Sequence, residues 1–98
     1  MLGAKMSVLE RFPNIVEVFK KLAENRRYGP IDRLARALSP EMIRMALYEA
    51  LRIATTEGWN LPPDKEVDEF LTEAEKNPGV AQRVAIIALT SAPKTQTQ

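Results

Sequence analysis

The chain has 98 residues, 45% apolar and 28% charged, and its 14 Lys and Arg against 13 Asp and Glu leave a net charge of +1. That composition describes one globular domain, small enough (roughly 60–68% of its unfolded surface buried) to draw part of its stability from a partner or from copies of itself. With no Cys and no His, disulfide frameworks, zinc fingers, thiol nucleophiles and Ser-His-Asp triads are excluded, and any metal would have to be held by carboxylates alone.

Residues 1–6 carry neither a long apolar run nor a cleavage pattern, and no stretch reaches the ~18 apolar residues of a membrane span; a soluble, cytoplasmic protein is expected, with no membrane partner. Seven prolines stand where helices begin or end, and the apolar residues between them recur every three or four positions. This predicts an all-α fold, a single compact bundle of about five helices over residues 1–92, with 93–98 as a flexible tail. Ser7, with Glu10 in capping-box position, starts a short first turn. Pro13 then opens the first long helix, whose inward face is Ile15, Val18, Phe19 and Leu22. Gly29 and Pro30 predict its end near Arg27.

A second helix of two to three turns follows, with Ile31, Leu34, Ala35 and Leu38 on its apolar face. Ser39-Pro40 joins a capping side chain to a residue that sacrifices no helical hydrogen bond, and predicts a third helix from about Pro40 to Glu57. Its face of Ile43, Ala46, Leu47, Ala50 and Ala54 is partly small, so a neighbouring helix can approach closely. Gly58 stops it, and Trp59, in the irregular link to Pro62-Pro63, is expected to cover one end of the core. A fourth helix, from about Pro63 to Lys76, turns Val67, Phe70, Leu71 and Ala74 inward and an almost wholly acidic face outward. Asn77-Pro78 starts a fifth, Val80 to Ala92, whose only charge is Arg83. A helix apolar nearly all round is buried on several sides: either it is the centre of the bundle, or Val80, Val84, Ile87 and Ala88 form an interface with another chain.

The near-neutral sum hides an uneven layout. Residues 20–52 hold Lys20, Lys21, Arg26, Arg27, Arg33, Arg36, Arg44 and Arg52 against Glu24, Asp32, Glu41 and Glu49, a balance of +4. Residues 57–76 hold Glu57, Asp64, Glu66, Asp68, Glu69, Glu73 and Glu75 against Lys65 and Lys76, a balance of −5. The eight cations are candidate phosphate contacts, because each Lys or Arg beside a phosphate releases counterions and gives sequence-independent, salt-sensitive affinity. Arg44, Tyr48 and Arg52 lie four apart on the third helix, so a stackable ring stands between two guanidinium groups, an arrangement suited to single-stranded nucleic acid. The plainer reading is a solvated helix surface, with Tyr48 at a core edge and Arg26-Arg27 offsetting the macrodipole of the helix they end.

On the acidic helix, Glu66, Glu69 and Glu73 share a face, but without a glycine-bearing calcium loop they are expected to be solvated rather than to bind metal. Opposite patches on one subunit favour head-to-tail self-association. Catalysis is not expected: every Asp and Glu reads as a helix-surface residue, no cleft is indicated, and no cofactor is implied.

Tyr28 to Ala54, and in particular Ile31-Asp32-Arg33-Leu34-Ala35, Ala37-Leu38-Ser39 and Ala46-Leu47-Tyr48-Glu49-Ala50 with Arg52, resembles the small subunit of the archaeal type I-A CRISPR interference (Cascade) complex. The resemblance covers about a quarter of the chain and none of its strings is a catalytic signature. It implies a small, largely helical, non-catalytic subunit that lies beside the crRNA-bearing backbone, contacts single-stranded or unwound target DNA, and associates with copies of itself and with other Cascade subunits in antiviral defence. Longer members of that family have room for a strand-containing portion that this chain lacks, and after Trp59 no residue-level likeness is evident. The alternative is a helical protein-interaction module that self-associates through its apolar C-terminal helix. A helix-turn-helix regulator is weaker, because Ile43, Leu47 and Ala50 leave few polar side chains to read base edges.

Overall fold

The computed structural model describes residues 8–91, which form six helices and no strand. The helices are α1 (Val8–Arg11), α2 (Pro13–Glu24), α3 (Tyr28–Ala35), α4 (Pro40–Glu57), α5 (Asp64–Lys76) and α6 (Gly79–Ser91). The expected all-α bundle is therefore observed, with α1 as the short first turn and α2 to α6 as the five longer helices. Ser7, Ala92 and the expected tail at 93–98 lie outside the described residues.

The starts follow the local chemistry that predicted them. Pro13 and Pro40 occupy first-turn positions, where an absent N–H breaks no helical bond. The Ser39 hydroxyl accepts from the Met42 N–H at 3.3 Å, and Asn77 Oδ1 accepts from the Gly79 N–H at 3.1 Å. At the far end of α4, Gly58 takes a left-handed φ of 79°, and the Trp59 N–H closes back on the Ala54 carbonyl at 2.9 Å.

Two boundaries differ from expectation. The first long helix ends at Glu24 and not near Arg27, because Arg26 adopts φ 60° and turns the chain. Gly29 and Pro30 then fall inside the first turn of α3 instead of separating two helices. α3 ends at Ala35, so Leu38 falls beyond the helix. Ala37 is buried in its place and Leu38 is 83% exposed, which corrects the inward role predicted for it.

The core joins Phe12, Ile15, Phe19 and Leu22 to Ile31 and Leu34 of α3, Ile43 and Leu47 of α4, Phe70 of α5 and Val84 of α6, all essentially inaccessible to solvent. Phe12 and Phe70 meet edge-to-face with centroids 5.2 Å apart, a geometry favoured by the ring quadrupoles. Trp59 packs against this core as predicted, half-buried, as do Val67 and Leu71. α6 lies against α2 and α3, while α5 closes over α4, α6 and α2.

The two alternatives left open for the last helix are decided by burial. Val80, Val84 and Ala88 are buried inside this chain and Ile87 packs half-buried against the core, so the proposed interface residues are core residues and unavailable to a partner while the bundle is closed. The apolar side chains that α6 leaves outside are Ile86 and Leu89.

Candidate nucleic-acid interface

The basic half of the sequence runs from the last turns of α2 through α3 to the last turns of α4. Lys20 and Lys21 are half-buried near the C-terminus of α2, and Arg26 is exposed in the turn that follows. None of these three is in an ion pair among the described residues, and neither is exposed Arg52 on α4.

Three other predicted cations are committed within the fold. Arg27 meets Glu57 at 2.8 Å and ties the α2–α3 turn to the end of α4. Arg33 pairs with Glu49 and links α3 to α4. Arg36 holds Asp32 one turn back at 3.1 Å. All three pairs are exposed, where each is worth little to stability but competes with an external anion for the guanidinium.

The expected alignment of Arg44, Tyr48 and Arg52 is only partly realised. Arg44 is half-buried and lines a shallow groove with Asp68, Leu71, Thr72 and Glu75 of α5, so two carboxylates share its surroundings. Tyr48 is 51% exposed and stands in a neighbouring groove of about 350 Å³ with Leu51, Leu61, Pro62, Val67 and the carboxylates of Asp64 and Asp68. A phosphate in that groove meets two negative charges.

The acidic helix departs from expectation at one position. Glu66, predicted to be solvated beside Glu69 and Glu73, is buried. Its carboxylate accepts from the Asn14 and Ile15 N–H groups, both at 2.9 Å, and from Asn14 Nδ2 at 2.8 Å. These are the orphan amides of the α2 N-terminus, where Phe12 supplies no side-chain cap. Glu73 in turn pairs with Arg11 at 3.3 Å. Glu66 thus pins α5 to the start of α2 and Glu73 ties it to the end of α1, and among the described residues no group of three or more acidic side chains is placed to hold a metal ion.

The sequence reading also missed an exposed apolar strip. Met42 and Met45 stand exposed in the first turns of α4, Met45 at 62%, and Leu38 is exposed in the link just before it. The signal lay in the α4 pattern itself, since Met42 and Met45 fall outside the stripe of Ile43, Ala46, Leu47 and Ala50. Among the described residues no helix is long and apolar enough to cross a membrane.

The family model described as CRISPR-associated protein (Cas_Csa5) matches residues 18–60. The segment that carried the sequence resemblance, Tyr28 to Ala54, lies inside it, and the CRISPR-associated small-subunit family expected from that segment is the one found. Neither the search of curated proteins nor that of solved structures found a match.

Proposed function

We propose, from the match of residues 18–60 to a CRISPR-associated family, that this chain is the small subunit of an archaeal type I-A effector complex, cytoplasmic and non-catalytic, contacting single-stranded or unwound target DNA in antiviral defence. All eight candidate cations fall within the matched residues. The observation that carries the reading is that Lys20, Lys21, Arg26 and Arg52 stand without a carboxylate partner there, their charge uncommitted by the fold. Contacts of this kind neutralise phosphates and carry no base information, which suits a complex in which the guide RNA reads the sequence by pairing. Tyr48 offers a stacking face to one base, with Arg52 one turn further along α4 for an adjacent phosphate. Assembly with the crRNA-bearing subunits and with other copies is supported by Leu38, Met42 and Met45, whose exposed apolar surface has no use within the chain.

A salt titration of binding to a labelled single-stranded oligonucleotide tests the reading. The logarithm of the binding constant falls linearly with that of the salt concentration, by about 0.7 per phosphate contact. Replacing Lys20, Lys21 and Arg52 together by Ala flattens that slope by about 2 and weakens binding at every salt concentration. Affinity that does not change with salt would overturn the reading.

A further inference from the structure

The ends of α2 and α4 are the same motif with one residue exchanged. After α4 the Gly58 N–H donates to the Thr55 carbonyl at 3.2 Å and the Trp59 N–H to the Ala54 carbonyl at 2.9 Å. After α2 the Arg26 N–H donates to the Ala23 carbonyl at 3.1 Å and the Arg27 N–H to the Leu22 carbonyl at 2.8 Å. Both are Schellman turns, in which the residue after the cap must take the left-handed conformation. Gly58 does so at φ 79° with no Cβ to oppose it, while Arg26 does so at φ 60° against the steric preference of an L-residue. Asn25, of the residue type that tolerates this region best after glycine, stands one position too early.

The Arg26 side chain gives nothing back to the fold. Its guanidinium makes no ion pair or hydrogen bond among the described residues, and the backbone already caps the helix. Asn25 adds its own bond from Nδ2 to the Lys21 carbonyl at 2.8 Å. The helix macrodipole does not require it either, since Lys21 already places positive charge in the last turn of α2. A charge held at a glycine position, with no partner inside the chain, points to an anion outside it.

We propose that Arg26 is a phosphate contact of the DNA face, kept as arginine where the backbone favours glycine. The proposal rests on the DNA-contacting reading above and narrows it to one residue. Its signature is binding lost without any loss of folding stability, which no purely structural role produces.

The test measures thermal midpoint, single-stranded DNA affinity across salt concentrations, and sedimentation for the full chain and for Arg26→Gly and Arg26→Lys. Arg26→Gly is expected to melt at the same temperature or up to about 4–8 °C higher, with its salt slope reduced by about 0.7 and its affinity several-fold weaker. Arg26→Lys restores the slope. Equal slopes for Arg26→Gly and the parent overturn the proposal, as does a lower melting temperature for Arg26→Gly, or an Arg26→Lys that binds no better than it. An unchanged slope with weakened self-association assigns Arg26 to an acidic protein surface instead. If the parent chain binds no DNA, the DNA-contacting reading itself fails; if it binds and Arg26→Gly binds equally, only this proposal does.

Discussion

Glu66 is where a single side chain does most for the arrangement of helices. One carboxylate serves two backbone amides at the start of α2 and the Asn14 side chain, and it does so from α5, 51 residues away from Ile15. Removing it leaves a buried N–H at Ile15 without an acceptor, at a cost of about 1–3 kcal/mol. Glu66→Ala is therefore expected to lower the urea midpoint clearly, and Glu66→Gln, which keeps an acceptor but loses the charge that strengthens the bonds, to fall between it and the parent. An Ala variant as stable as the parent would mean that water replaces the carboxylate without loss. Part of this was legible in the sequence. Glu66, Phe70 and Ala74 follow one another at intervals of four, so the spacing itself puts Glu66 in the apolar register. A carboxylate there needs a partner, but the partner is the end of a distant helix, and periodicity along one helix carries no information about it.

At the scale of whole helices, α6 shows why an apolar segment can hide its own orientation. Its inward face is Val80, Ala81, Val84, Ala85 and Ala88, while the larger Ile86 and Leu89 stay outside, 57% and 47% exposed. Size, not hydrophobicity alone, selects the face: Val and Ala let α6 come close to α2 and α3, and a larger side chain at one of the alanine positions would hold the helices apart. Ala85→Leu should overpack this contact and cost about 1–3 kcal/mol, whereas Ile86→Lys should change stability by no more than about 0.5 kcal/mol. Chemical denaturation of the two variants checks the orientation directly, because the reverse order of effects would put Ile86 inside. The starts of α2 and α4 and the end of α4 were readable because Pro13, Ser39-Pro40 and Gly58 act on their immediate neighbours. The end of α2 was not, since it depends on an arginine in a conformation that the residue type disfavours.

Over the whole molecule, the net charge of +1 is the residue of an internal cancellation that ion pairs make structural. The sequence located the basic half and the acidic helix, but it could not tell which cations the fold would consume; Arg27, Arg33 and Arg36 are engaged by carboxylates from α4 or from their own helix. On the proposed DNA-contacting reading, Glu49 and Glu57 would act on binding without touching DNA, by competing for Arg33 and Arg27. Converting both to Gln releases two guanidinium groups and removes two charges that repel phosphate. Because each pair is exposed, folding stability should move by less than about 1 kcal/mol per pair. Binding should respond more strongly: the salt slope on single-stranded DNA steepens by about 1.4, and affinity near 0.1 M salt rises several-fold. A double variant with unchanged slope and unchanged melting temperature would mean that Arg27 and Arg33 lie away from the strand. The phosphate track would then run over the cations that the fold leaves unpaired, from Lys20 and Lys21 through Arg26 to Arg52.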